Sequence, residues 1–432
     1  MEEKKRAAVG NNKTVSIDLL DIESTFYILD WPPIASLTWF EGDFSAMKPK
    51  LEKRLMLIVA KNPWLQGRIR ITNYLKRTCS LSYCKISTPS SIDIDIDIDE
   101  NLEFIPPEDS PLSRDTPFES LGVTIRDAGL DIKNGRNQPV FKVNIIPCSK
   151  NPSKRFALLL QISHVVADGA TYYKLLDMIC SIGEDCIERL DPVRIMRTKE
   201  LRIAAMGRLS SDLFLSSTGI LHLVWGAIAE MLRGRKTYPC LRFLDPEKIQ
   251  ALKDAFIKEK QEGPTNDVQF VSTNDVITSW FMSRTSCEAG FMAINWRNRL
   301  EGHTDLHAGN YQSSIFYQKE DYASPALIRK SVMKGKPAVT QDLFGFWEIL
   351  TSQSYRALVT NWASFSKSNE IEGCTEDIHL PLTLDPSFPS NLSNLIIFRA
   401  GAGRVGLYYL GNNPDGTNPL DDAPFIIKDT NL

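Results

Sequence analysis

The 432-residue sequence predicts an α/β protein built in two large halves. Three observations lead there. Strand-like and helix-like patterns alternate loosely along the chain. The length exceeds what one small core organises and fits two large domains, or two to three ordinary ones. A long irregular connection, roughly residues 183 to 244, divides the alternation into two parts. Hydrophobic residues at 43% and charged residues at 24% are the proportions of an ordinary globular chain, which excludes a disordered or fibrous one. A net charge of −3 gives no basic excess, so nucleic acid is not the expected partner.

In chain order, residues 1 to 14 are polar and expected to be disordered, without the apolar core of a signal peptide. A short strand-like start and then Leu37–Glu41 follow. Phe44 to Asn62 predicts a helix, because Leu51, Leu55, Ile58 and Val59 recur on one face, and Asn62-Pro63 stops it. Gln66–Ile71 reads as a strand. Ser91 to Glu100 (SIDIDIDIDE) alternates strictly, but Asp is a poor strand former. It also lacks the Gly and Glu that a calcium loop needs at its sixth and twelfth places, where Ile98 and Phe104 stand, so a solvated loop or exposed edge is expected.

Pro139–Ile146 and Phe156–Ile162, joined by the polar turn SKNPSK, predict a hairpin. A helix over Ala170–Ile179 comes next. Within the long connection, Leu213 to Leu232 is nearly apolar and about the length of a membrane span. It carries His222 and Glu230 and has no second counterpart. It reads as a buried or half-buried helix, with an interfacial helix as the alternative.

In the second half, Asp245-Pro246 opens a helix that runs to about Glu262, and Ser272–Asp275 caps another to about Ser286. Gly290–Asn295 is strand-like. Ser324-Pro325 starts a helix to about Lys334, and Ala357–Ser364 reads as a strand. Leu395–Phe398 and Val405–Tyr409 predict a closing hairpin across Gly401-Ala-Gly403.

The chemistry concentrates in SHVVADG, Ser163 to Gly169. Of the five histidines, only His164 sits where a strand ends and a helix begins. A neutral imidazole there can take a proton from a hydroxyl or amine, which makes His164 a candidate general base. Gly169 would permit a tight turn into the helix. Asp168 need not touch His164, and a semi-buried carboxylate calls for a cationic partner such as an arginine. On spacing alone, an ordinary core or surface histidine followed by a turn aspartate is the competing reading.

His303-Thr-Asp-Leu-His307 has the spacing of two zinc ligands on a helix. It lacks the glutamate of HExxH and lies beside Gly302 and Gly309, so no metal is expected. None of the eight cysteines falls in CxxC or zinc-finger spacing, and the sparse usage suits a reducing, cytoplasmic setting.

The heptapeptide resembles the HxxxDG motif of the chloramphenicol-acetyltransferase-like superfamily, and within it the BAHD-type plant and fungal acyltransferases. Other stretches are similar in the family's order. They are Lys61–Arg68, Pro139–Val143, Ser272–Trp280, Ile294–Arg299 with Gly309-Asn310-Tyr311, and Val359-Thr-Asn-Trp362. The resemblance departs from the core plant group where DFGWG is replaced by Gly373–His379. Ser163 stands where condensation domains and bacterial acetyltransferases carry a second histidine, which favours the stand-alone CoA-type branch over a condensation domain.

The resemblance implies two chloramphenicol-acetyltransferase-like lobes of mixed β-sheet flanked by helices, with the active site in a tunnel between them. The division would be 1–195 for the first lobe, 196–244 for a crossover and 245–432 for the second lobe. It implies acyl transfer from acyl-CoA to a small-molecule alcohol or amine. His164 would be the general base and Thr360 a donor to the oxyanion. Asp168 would be structural and paired with Arg297, with Arg299 as second choice, and Gly169 would support the loop. Neither a permanent cofactor nor a metal is expected, and a monomer is. The alternatives are a condensation-type enzyme that takes acyl groups from a carrier protein and a non-catalytic ligand-binding relative.

Overall fold

A computed structural model describes residues 14–73, 75–76, 78–85, 97–133, 135–206, 238–262, 268–339, 356–365, 369–383, 392–401, 403–411 and 417–427. The apolar stretch 213–232 and most of SIDIDIDIDE lie outside the described residues. Among those described, no helix is long and apolar enough to cross a membrane.

The first half begins with β1 (Thr14–Asp18), α1 (Asp21–Ile28), β2 (Ile34–Glu41) and α2 (Phe44–Lys61). It continues through β3 (Arg68–Asn73), β4 (Thr78–Cys84), β5 (Leu102–Phe104) and α3 (Phe118–Asp127). The hairpin β6 (Phe141–Pro147) and β7 (Arg155–Ile162) leads to α4 (Gly169–Cys180), and α5 (Thr198–Met206) follows. The amphipathic pattern explains α2: Asp43 caps it by accepting from the Ser45 and Ala46 amides, and Leu51, Leu55, Ile58 and Val59 are all buried.

The second half contains β8 (Tyr238–Phe243), α6 (Pro246–Glu262), α7 (Thr273–Thr285), β9 (Ala289–Asn295) and β10 (Gln312–Tyr317). After α8 (Pro325–Lys334) come β11 (Arg356–Asn361), β12 (Thr375–Leu382), β13 (Leu392–Gly401) and β14 (Arg404–Gly411). A reciprocal capping box fixes the start of α7: Ser272 Oγ accepts the Asp275 amide, and Asp275 Oδ2 accepts the Ser272 amide at 2.7 Å.

These strands make two large mixed sheets and a small antiparallel one, β1-β4-β3. The second-half sheet has the order β10-β9-β11-β13-β14-β8, with parallel pairs at β9/β11 and β11/β13. The first-half sheet has the order β12-β2-β7-β6-β5. Its outer strand, β12, comes from the far end of the chain and pairs antiparallel with β2. Sequence patterning did not predict this strand, nor α1 and α3. The two helices are short, and β12, as long as β2 and β7, begins within the Gly373–His379 stretch that departs from the resemblance.

Three cores result. One packs α2 and α4 against the first sheet, and a second packs α7 and α8 against the other sheet. The third lies between the sheets. There Leu37, Trp39 and Leu159 meet Phe398 and Tyr408, with Phe118 of α3 inserted edge-on to Tyr408. Arg399 Nη2 of β13 donates to both carboxylate oxygens of Glu376 of β12, at 2.7 and 2.8 Å, so the two lobes are joined by apolar and ionic contacts. This is the two-lobe, mixed-sheet architecture that the sequence implied.

Candidate functional site

The motif turn is built from its buried residues. Strand β7 ends at Ile162, and the Ser163 amide donates to the Val140 carbonyl at 2.7 Å. Val165, Val166 and Ala167 are fully buried in the first core and anchor the turn. Asp168 then caps α4. One of its oxygens, Oδ1, accepts the Thr171 amide at 3.0 Å and the Thr171 hydroxyl at 3.1 Å. His164 is left as the half-buried residue of an otherwise buried turn, and it lines a cavity of about 490 Å³.

The cavity lies between the lobes. His164 and Gly169 line it from the motif turn, Ile22 and Phe26 from α1, and Thr360 and Trp362 from the end of β11. Phe26 packs on the His164 ring with centroids 5.0 Å apart. Thr360 is in register with Ile396 on β13, and the chain leaves the sheet at Trp362, whose amide donates to the Ile397 carbonyl. The strand expected over 357–364 therefore stops at Asn361, because Trp362 turns toward α4. Gly169 is needed for that turn in a way different from the expected one. Its φ is not positive. A Cβ on Gly169 would instead meet the Trp362 indole nitrogen at 3.3 Å, so glycine provides clearance for the indole rather than a left-handed turn.

The other oxygen of Asp168, Oδ2, accepts from Arg297 Nη1 at 2.7 Å and from the Tyr311 amide at 3.0 Å. Both side chains of the pair are about 2% exposed. Arg297 places its other donors on the His307 and Gly309 carbonyls and the Thr171 hydroxyl, at 2.9 to 3.0 Å. Every polar atom of this buried pair has a partner, as burial of ions requires. Arg299 donates to the Val332 carbonyl at 2.9 Å and has no bond to Asp168. Asp168 and His164 share no hydrogen bond among the described contacts.

His164 Nδ1 instead lies 3.1 Å from Asn310 Oδ1. The amide's orientation decides the proton. Asn310 Nδ2 lies 2.8 Å from the His164 carbonyl and 3.3 Å from both the Val165 carbonyl and Glu23 Oε1, all of them acceptors. The nitrogen must face them, so Oδ1 faces the ring and Nδ1 carries the hydrogen. Nε2 then holds the lone pair of a neutral imidazole. Burial lowers the His164 pKa below its ordinary value, while nearby backbone carbonyls, Asp168 and Asn310 act in the opposite direction. The ring therefore stays neutral at pH 7.

Three residues of this arrangement escaped sequence reading. Asn310 lay within a matching stretch but had no assigned role. Glu23 and Arg194 had no motif at all. Glu23 is fully buried in an eight-residue helix, and Arg194 is nearly so in an extended connection. His303 ties its loop to α5, and His307 serves the loop itself. His303 bonds the Thr198 hydroxyl at 2.9 Å and the Glu301 carbonyl at 3.0 Å, and His307 bonds Thr304.

No family model matches the chain, and no curated protein matches it. Solved structures do. The first condensation domain of the CDA synthetase superposes with a TM-score of 0.56 at 14% identity, over 94% of this chain and 92% of that one. F. sporotrichioides TRI101, complexed with coenzyme A and T-2, gives a TM-score of 0.57 at 12% identity, over 92% of this chain and 95% of that one. Polyketide synthase associated protein 5 from Mycobacterium tuberculosis gives 0.52 at 13% identity, over 94% of each chain. The shared property is the chloramphenicol-acetyltransferase-like fold of two sheet-rich lobes.

Proposed function

We propose that the protein transfers an acyl group from acyl-CoA to the hydroxyl or amine of a small molecule, with His164 as general base. The observation that carries this reading is the fixed state of His164. Its Nδ1 is committed to Asn310, and its lone pair on Nε2 belongs to a residue that lines an inter-lobe cavity shared with Thr360.

The acceptor's O–H or N–H gives its proton to Nε2 while the acceptor attacks the thioester carbonyl carbon. The carbonyl oxygen becomes an oxyanion, and the Thr360 hydroxyl donates to it. One such donor contributes about 3–4 kcal/mol where measured. Collapse breaks the C–S bond, and the departing thiolate takes the proton from Nε2. The ester or amide and CoA–SH leave, and the imidazole is neutral again. The step needs neither metal nor acyl-enzyme. Asp168 and Arg297 hold the turn, and the cavity's lining from two lobes gives donor and acceptor room to meet.

The test is single-turnover release of CoA thiol from acetyl-CoA with a panel of primary alcohols and amines, comparing wild type with His164→Ala. The expected outcome is loss of acyl transfer in the variant. Transfer surviving within a few-fold would remove the general-base role.

The likeness to a condensation domain supports a second reading, in which the donor is an acyl group on a carrier protein. Ser163, in place of a second histidine, favours the CoA donor. Faster transfer from acyl-carrier than from acyl-CoA would reverse that choice. A purely ligand-binding role is disfavoured because the cavity reaches His164.

A further inference from the structure

We propose that Glu23 and Arg194 are positioning residues that act through Asn310 to keep the His164 proton on Nδ1. The inference rests on the general-base reading above and extends it to a buried ion pair that is not itself among the residues lining the cavity.

Glu23 Oε2 accepts Arg194 Nε at 2.8 Å, and both side chains are completely buried. Such a pair is a weak source of stability, since well-packed apolar residues of similar volume do as well or better. What distinguishes it is where its remaining atoms go. Glu23 Oε1 accepts the Asn310 backbone amide at 2.9 Å and lies 3.3 Å from the side-chain amide. Arg194 donates to the Val166 carbonyl of the motif turn at 3.0 Å and to the Ala308 carbonyl beside Asn310 at 2.9 Å. A Cβ on Gly309 would lie 3.1 Å from the Arg194 guanidinium carbon, so glycine lets the loop close onto it. The pair thus holds Asn310 by backbone and side chain and holds the turn that carries His164.

The consequence concerns the proton. If the Asn310 amide rotated by half a turn, its oxygen would face the Glu23 carboxylate and the carbonyls of His164 and Val165. Those acceptors repel it, so the amide stays as found and only a protonated Nδ1 satisfies Oδ1. Glu23 supplies the one full negative charge in that set. Without it, the amide is less constrained, and an Nε2–H tautomer, useless as a base toward the cavity, becomes accessible. The other charged groups near the turn, Asp168 and Arg297, are saturated by each other and by neighbouring donors and carbonyls.

The experiment replaces the pair by apolar residues, Glu23→Leu with Arg194→Met, so that no buried charge is stranded. The tautomer is read directly from long-range ¹H–¹⁵N spectra of protein labelled at its five histidines, with His164→Ala assigning the signal. Wild type should show His164 as the neutral Nδ1–H form. The double variant loses the acceptor of the buried Leu20 and Asn310 amides, so its Tm should fall, yet it should gain Nε2–H population. Its kcat, with acetyl-CoA and the fastest acceptor of the panel, should fall about 10–100-fold, by analogy with the loss of outer partners behind metal-bound imidazoles. KM for acetyl-CoA should not move. If the double variant does not fold, Glu23→Gln, which keeps an acceptor for the Leu20 and Asn310 amides but removes the charge, should shift the tautomer in the same way. An Nε2–H form in wild type, or an unchanged tautomer and kcat in the variant that folds, would overturn the inference. His164→Ala separates the two levels: retained activity there defeats the general-base reading and this one with it. Its loss beside an unperturbed pair variant defeats this one alone.

Discussion

Replacing Asp168 by asparagine isolates the charge of the motif's second residue from its capping role. Asparagine caps helices as well as aspartate does, so the Oδ1 contacts to the Thr171 amide and hydroxyl can persist. The other side of the carboxylate cannot be replaced. Oδ2 takes donors from Arg297 at 2.7 Å and from the Tyr311 amide at 3.0 Å, and an NH₂ group there would face two donors. The Arg297 guanidinium, 2% exposed, would lose its counter-charge. Stranding one member of a buried pair costs about 3–5 kcal/mol. For cooperative unfolding of a chain this size, that corresponds to a drop in Tm of about 3–6 °C. The assay is thermal unfolding followed by near-ultraviolet circular dichroism, with thiol release measured on the same preparation. The expected result is a lowered Tm together with reduced transfer. Adding Arg297→Met should recover much of the Tm but not the activity. A variant that melts within about 1 °C of wild type and keeps its activity would refute the brace.

Two further outcomes follow from the site and its surroundings. Thr360→Val should lower kcat by about 10²–10³-fold with little change in Tm, since the methyl replaces only a donor at the cavity wall; an unchanged kcat removes Thr360 from the oxyanion step. His379, fully buried between the Thr38 hydroxyl at 2.8 Å and the Tyr173 hydroxyl at 3.0 Å, has its pKa lowered to about 3 by burial, and Arg399 adds to this. Below about pH 6.5 the unfolded chain binds a proton there that the folded chain refuses, so stability present above that pH is lost as pH falls toward 3, by about 1.4 kcal/mol per unit. Between about pH 6.5 and 4.5 the unfolding free energy from urea titrations should therefore fall more for wild type than for His379→Gln, by about 2–3 kcal/mol; parallel losses would contradict the buried neutral ring.

How much of this was legible beforehand depended on whether the information was local. Helices α2, α6 and α7 announce themselves through caps and apolar spacing within a dozen residues. The β6–β7 hairpin and the histidine after it are equally local. The partner of Asp168 was readable only because Arg297 lies in a stretch that resembles a family pattern; nothing in spacing alone separates it from Arg299. The support behind His164 was not legible. Glu23, Arg194 and Asn310 lie far apart in sequence, and each is an unremarkable polar residue until burial brings them together. Strand β12 failed for the same reason, because its partner β2 is more than 300 residues away. Gly169 shows a subtler gap: its presence was read from the turn, whereas its cause is an indole approaching from the other lobe.

The placement of β12 also bears on how the chain is made. Strand β2, buried along all but its last residue, emerges early in synthesis, and β7 covers one of its edges. The other edge waits for Thr375–Leu382, more than 300 residues after β2 is complete. At ribosomal speeds of about 5–20 residues per second, that interval lasts tens of seconds. Throughout it, the nascent chain presents an open, apolar strand edge of the kind that pairs with other chains. Holdase chaperones should therefore engage ribosome-bound fragments that end before β12 and release those in which β12 has cleared the exit tunnel. Fragments cut between the lobes should aggregate unless a peptide spanning β12 is supplied in trans.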